Sequence, residues 1–223
     1  MAILVEFERI KFAAAFAAAL AACVMPACAA QASGTAVESF VQQNVDAGVK
    51  ILQDKSVPVS TRHERFRDFL LQLMDLKRVA LYTLGPWRRN ASQADLDTFV
   101  EAFRNFALAN YESRINSYGG ETLKVVGSSA HADNDYVVTT HLVDSSDPNS
   151  SDPPLEVDLR VLSENGKFVV VDASVEGIWL ALTQREELTS FLDQHNGDFK
   201  ALDARLDQLS AQLLETGPST AKN

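Results

Sequence analysis

The sequence predicts an α+β domain, a four-stranded antiparallel sheet packed with helices. Three observations carry that reading. Apolar residues recur at spacings of three and four from Val37 to Tyr118, and again from Ile178 to Leu213. Between these stretches, residues 123–174 are rich in Val and Thr and alternate with polar residues. An Asn165-Gly166 pair marks a tight hairpin, because both residues tolerate positive backbone angles.

Taken in order, residues 30–36 are small and polar and read as a flexible lead-in. Val37 to Leu52 is the first helix, with a break at Val57-Pro58-Val59. Ser60 or Thr61 caps the next helix, and Glu64, three residues after Thr61, completes a capping box. Its stripe runs Phe66, Phe69, Leu73, Leu76, Ala80 and Leu84, until Gly85-Pro86 stops it just before Trp87, Arg88 and Arg89. Ser92 caps a long third helix striped by Leu96, Phe99, Phe103, Phe106, Tyr111, Ile115 and Tyr118, and Gly119-Gly120 ends it.

Four strands follow. Leu123 to Ser128 and Tyr136 to Val143 flank a turn at Asn134-Asp135. Leu155 to Val161 alternates cleanly, with Leu155, Val157, Leu159 and Val161 on one side. Lys167 to Ser174 loses its alternation at Val169-Val170-Val171, as a strand covered on both faces would. Residues 144–154 form a polar loop. Ile178 to Gln194 is a helix broken at Asn196-Gly197, and Asp198 caps a last helix on Phe199, Leu202, Leu206, Leu209 and Leu213. Residues 37–216 thus form a single domain, followed by a polar tail at 217–223.

A chain of 223 residues supports one domain with a real core. Its net charge of −10 argues against phosphate backbones and anionic head groups as direct partners, so nucleic acid is not expected. At the N-terminus, Arg9 and Lys11 precede an Ala-rich run from Phe12 to Val24, too short to span a bilayer. Ala27-Cys28-Ala29 offers a cleavage point, so residues 1–29 read as a secretory signal peptide. Cleavage there leaves no cysteine. Leu20-Ala21-Ala22-Cys23 has the pattern of a lipoprotein box and offers the alternative of a chain anchored through an acylated Cys23.

The reactive residues form no recognised catalytic pattern. Asp144, Asp147 and Asp152 lack the ligand spacing, central Gly and final Glu of a Ca²⁺ loop. His131, Asp133, Asp135 and His141 at a hairpin edge fall short of a converging zinc set. No Ser lies in a Gly-x-Ser-x-Gly elbow. Asp172 and Glu176 flank the corner where the last strand gives way to a helix. Asp172 is either a helix-capping group or a general base. Large apolar side chains on the two long helices face the strands, and periodicity does not separate a filled core from a cavity lining.

The motifs Leu84-Gly85-Pro86-Trp87-Arg88-Arg89-Asn90-Ala91-Ser92, Phe99-x-x-x-Phe103 through Tyr111, and Val171-Asp172-Ala173-Ser174-Val175-Glu176-Gly177-Ile178 occur in this order. Together they resemble the MlaC family, the toluene-tolerance auxiliary proteins, over about Phe40 to Leu213. The chain departs from the family's usual pattern at Lys167-Phe168 and at Ile178-Trp179-Leu180. The Ile-Trp-Leu-Ala-Leu form is similar to a subgroup associated with hopanoid biosynthesis.

The resemblance implies a periplasmic lipid-binding shuttle, without catalytic activity, cofactor or metal. It would carry a phospholipid or hopanoid between an inner-membrane ABC transporter complex and an outer-membrane lipoprotein complex, its tails held in an apolar cavity between sheet and helices. On that reading the helical residues against the tails are Phe69, Leu73, Leu76, Leu84, Trp87, Phe99, Phe103 and Phe106. From the strands and the corner come Val138, Leu159, Val169, Val171 and Trp179. Arg88 and Arg89 would meet a head group or a partner. The alternatives from other classes are a small α+β enzyme using Asp172 as base in an apolar pocket, and a scaffolding protein with a filled interior.

Overall fold

The computed structural model describes residues 28–115, 118–143 and 153–216. Most of the segment read as a signal peptide, with Cys23, most of the polar loop after Val143, and the tail lie outside the described residues. The helices are α1 (Cys28–Gln53), α2 (Val59–Leu73), α3 (Leu76–Thr83), α4 (Gln93–Ile115), α5 (Leu180–Gln194) and α6 (Phe199–Thr216), with a 3₁₀ turn at Gly85–Arg89. The strands are β1 (Thr122–Ala132), β2 (Asp135–Val143), β3 (Glu156–Glu164), β4 (Lys167–Val175) and β5 (Ile178–Trp179). They form one antiparallel sheet in the order β1-β2-β3-β4-β5. The fold class is the expected one, with a short fifth strand added. Among the described residues no helix is long and apolar enough to cross a membrane.

Local signals account for several boundaries. At the start of α4, Ser92 Oγ accepts from Asp95 N–H at 3.2 Å, while Asp95 Oδ2 accepts from Ser92 N–H at 3.3 Å, a reciprocal capping box. Asp198 Oδ1 accepts from Ala201 N–H at 3.0 Å and caps α6. Asn165 (φ 51°) and Gly166 (φ 75°) make the two-residue turn between β3 and β4.

Other boundaries differ from the sequence reading. α1 begins at Cys28, so the residues read as a lead-in are helical. The Thr61-Glu64 capping box is not used, because α2 starts at Val59 directly after Pro58, whose fixed φ of −56° ends the extended linker. The helix expected to run to Leu84 is broken. Met74 is extended (φ −114°, ψ 138°) and bridges to Val170 in β4, and Asp75 then caps α3 by accepting from Arg78 N–H at 2.9 Å.

In the first hairpin the turn falls on Asp133 and Asn134 (φ 61°), and Asp135 opens β2 instead. Asp135 is buried and ion-paired to Arg160, whose guanidinium reaches both carboxylate oxygens at 2.7–3.3 Å. In β4 the unalternating run is a bulge. Arg160 pairs with Asp172 and Val161 with Val170, leaving Val171 without an opposite residue. Ile178 and Trp179 are not helical either. Glu176 (φ 50°) and Gly177 (φ 79°) reverse the chain, so Ile178 and Trp179 pair back onto Val175 and Ser174 as β5.

The interior divides into three apolar clusters. Ala80, Leu84, Phe99, Phe103, Leu188, Leu192, Leu202 and Leu206 form a core within the helices α3 to α6. Val37 and Val41 of α1 meet Val138, Val161 and Val170 of the sheet. Leu70, Leu76 and Leu108 join α2, α3 and α4. Over the sheet edge, the Gln42 side chain in α1 accepts from Val125 N–H at 3.0 Å and donates to Leu123 C=O at 3.4 Å. One buried group does not fit the helical core. Asp203 in α6 is 8% exposed, and its Oδ1 has no hydrogen-bond partner among the described residues. Burial first, then the carboxylates of Asp207 and Asp95, push it up to about 6.

Candidate functional site: an apolar seam between sheet and helices

The break at Met74 positions the site. Because the chain leaves α2 extended and hydrogen-bonds to β4 (Asp75 N–H to Val170 C=O, 3.2 Å), residues 73–75 lie against the sheet. Leu73 and Met74 pack on the sheet cluster, and Met74 packs as well on the cluster of Leu70, Leu76 and Leu108. A seam of apolar side chains therefore runs from β2, β3 and β4 to the facing sides of α2 and α4. Its rings are only half-buried. Phe40 and Tyr136 contact Phe168, with centroids 5.4 and 6.3 Å apart, and Phe66 lies 5.9 Å from Phe69. The unbranched thioether of Met74 at the junction adapts readily to a changed neighbour. Chemically the seam offers apolar area and no nucleophile.

The expected site residues do not come together in one place. Leu84, Phe99 and Phe103 are fully or almost fully buried in the helical core, with Trp87 and Phe106 at its margin. Val138 (0% exposed) is central to the sheet cluster, with Leu73 and Leu159 beside it. Leu76 and Phe69 belong to the third cluster. Val169, Val171 and Trp179 are half-buried and belong to none of the three. The core residue of the Val-Val-Val run is Val170, because the bulge at Val171 resets the alternation. The seam also brings in Phe40, Phe66, Met74, Tyr136 and Phe168, which the sequence reading did not select.

The first and last of the three sequence motifs form a scaffold beside the seam. Asp172 Oδ1 accepts from Ala181 N–H at 3.0 Å and Ala173 N–H at 2.8 Å. The first bond caps α5, which has no side-chain cap from its own flanking residue, Trp179. Burial pushes the Asp172 carboxyl up, opposed by these two amides and by Arg160. Trp87 Nε1 donates to Asp193 Oδ1 at 3.0 Å, and its ring lies so close to Gly197 (φ 76°) that a Cβ there would sit 2.4 Å from Cζ3. Gly85 (φ 53°) is approached likewise by Arg185 and Thr189, and the Arg185 guanidinium lies 5.1 Å above the Tyr82 ring. Arg88 and Arg89 are exposed on the 3₁₀ turn.

Two surface hollows are shaped elsewhere. One of about 560 Å³ lies along Asp46, Val49, Lys50, Gln53 and Asp54, and one of about 360 Å³ along Pro86, Trp87, Asn90, Thr189 and Asp193. Neither is an apolar channel. Around half-buried Trp179, Ile178, Leu180 and Leu182 are 50, 37 and 45% exposed. No group of three or more His, Cys, Asp or Glu among the described residues is arranged to hold a metal ion.

Comparison with known proteins gives two findings. The family model described as "MlaC protein" matches residues 42–208. Among solved structures, the chain is similar to a phospholipid-binding protein from Ralstonia solanacearum, determined in complex with a phospholipid. The TM-score is 0.66 at 20% identity, over 79% of this chain and 97% of that one. A likeness at this identity speaks for the fold.

Proposed function

The chain belongs to the MlaC family, and from that premise we propose that it binds a lipid in the seam between sheet and helices and carries it through the periplasm. The single observation behind the proposal is the seam itself. Half-buried Phe40, Phe66, Phe69, Leu73, Met74 and Phe168 lie where sheet and helix clusters meet. The phospholipid complex of the Ralstonia protein of the same fold supports the same ligand class.

Of the residues expected against the tails, Phe69, Leu73, Leu76, Val138 and Leu159 border the seam and are the proposed liners. Leu84, Phe99, Phe103, Phe106 and Trp87 hold the helical scaffold. Val169, Val171 and Trp179 sit outside the seam's clusters, and Trp179 is proposed to touch cargo from the corner. Arg88 and Arg89, exposed and free to reach, suit a lipid head group or a partner protein.

The physical case is one of transfer. Each CH₂ taken from water stabilises by about 0.8 kcal/mol, so a sixteen-carbon chain contributes on the order of 12 kcal/mol before the cost of ordering it. No bond is made or broken. The Asp172 carboxylate, engaged by two backbone amides, supports a capping role over that of a base. In this reading the protein receives a phospholipid or hopanoid at one membrane complex and releases it at another, an inner-membrane ABC transporter and an outer-membrane lipoprotein complex. Its acidic surface discourages unguided adhesion to anionic membranes.

Native mass spectrometry with solvent extraction tests the reading. A co-purified lipid is expected. Protein that is lipid-free as isolated and takes up none from vesicles would overturn it.

A further inference from the structure

We propose that α2 is a hinged lid over the seam, pivoting at Met74 to admit lipid chains; this rests on the lipid-binding reading above. The helix lies between two breaks. Residues 54–58 precede it, closing on Pro58, which supplies no side-chain cap, and the extended Met74 follows it. Beyond Met74 the chain is fixed to the sheet. Asp75 N–H bonds Val170 C=O at 3.2 Å, and Arg78 in the next turn reaches Glu164 in β3 at 2.7 Å. Rotation is thereby confined to one residue.

The helix itself is lightly held. Of its fifteen residues only Leu70 is buried, whereas the equally long α5 buries Ala181, Leu188 and Leu192. Segments with few buried apolar contacts open at lower free energy than the core. Beneath it, Phe66 and Phe69 rest against α1 at Gly48, where an added Cβ would lie 3.2 Å from the Phe69 ring. These rings and Leu73 are what lifting α2 would uncover.

The closed position also carries a polar cost. Arg62 Nε and His63 Nε2, both near the start of α2, are buried without a hydrogen-bond partner among the described residues. Lifting the helix returns both to water, so their desolvation favours opening. What opposes it are the hydrogen bond that Arg62 Nη1 donates to Leu52 C=O in α1 (3.3 Å) and, at the rim, the ion pairs Arg65–Asp54 (3.0 Å) and Arg67–Glu112 (3.5 Å), whose exposed arginines leave them open to screening by salt. A lid held by one buried leucine, a few half-buried apolar side chains, one hydrogen bond to α1 and two ion pairs is matched to a carrier that must both load and unload.

The test ties α2 to α4. Cysteines at R67C and E112C, in a chain freed of Cys23 and Cys28, are joined by a short bis-maleimide. The probe is a fluorescent phospholipid in phosphatidylethanolamine–phosphatidylglycerol vesicles. Expected is lipid transfer slowed at least tenfold in the joined protein, while the same variant capped with a mono-maleimide transfers at the parent rate or faster. Transfer by the joined protein at the parent rate would overturn the lid. Hydrogen–deuterium exchange reads the lid without lipid: amides of α2 should exchange at least tenfold faster than those in the middle of α4. Protection equal to that of α4 would overturn it as well. If the parent protein takes up no lipid while α2 exchanges fast, the lid stands and the lipid-binding reading fails.

Discussion

Replacing Asp203 with Asn should make the protein more stable at neutral pH and change nothing at pH 4. Asp203 lies in the helical core with its Oδ1 unpartnered among the described residues, and burial with the neighbouring Asp207 and Asp95 raises it to about 6. In the unfolded chain its pKa returns to about 3.9. The folded state therefore favours the protonated form. Its contribution is fully present below the unfolded pKa, is lost as pH rises from about 4 to about 6, and stays lost above that. A difference of about 2 pKa units corresponds to about 3 kcal/mol, and solvent reaching the carboxylate rim reduces this to about 2 kcal/mol. For a domain of this length that is about 4–8 °C in Tm. Asn has the shape of the protonated acid and does not ionise. Thermal unfolding of both proteins from pH 4 to pH 8 should show curves that coincide at the acid end. The variant should then unfold at the higher temperature from about pH 6 upward. Parallel curves, or a variant less stable at pH 7, would refute the argument that a buried unpaired carboxylate strains the α4–α6 contact.

Gly197→Ala combines a disfavoured backbone angle with a Cβ 2.4 Å from the Trp87 ring, which must then release Asp193. A loss of about 3 kcal/mol or more is expected in urea unfolding, recovered in part by adding Trp87→Leu, which removes the clash. Asp172→Ala removes the cap of α5 and should cost about 1–2 kcal/mol, whereas Asp172→Asn keeps an acceptor and should cost less than half as much. If both cost the same, the Ala181 bond is not the source of the loss. Trp179→Ser should alter the composition of co-purified lipid with a stability loss of about 1–2 kcal/mol. An unchanged lipid profile would leave Trp179 a packing residue.

The elements that could be read from the sequence are those whose causes are local. Ser92 with Asp95, Asp198 with Ala201, and Asn165-Gly166 each act within four residues, and each performs as its type predicts. The break between α2 and α3 has a distant cause. The apolar stripe Phe66, Phe69, Leu73, Leu76 continues across it without interruption, and what bends the chain is Val170, nearly a hundred positions later. The start of α5 is similar, since its cap, Asp172, sits nine residues before the amide it accepts from. β5 was only half legible, because Gly177 signals a turn whereas Glu176, unlike Asn165, is not a residue that favours the positive φ it adopts. Among the site residues, periodicity identified apolar faces without assigning them to clusters. Phe99 and Leu73 carry the same signal, yet one is sealed among helices and the other lies at the seam.

The Gln42 side chain has a consequence beyond the packing of α1. An eleven-residue strand at the border of a sheet exposes a row of free amides and carbonyls, a template on which another strand can add. At Leu123 and Val125 that row is already occupied by one carboxamide, which gives one hydrogen bond and takes one, as a neighbouring strand would. The bulge between Val125 and Gly127 begins directly after it and turns the border out of line. Chains crowded together thus meet a border that is interrupted part way along, and a single amide helps keep the protein from polymerising through its own sheet.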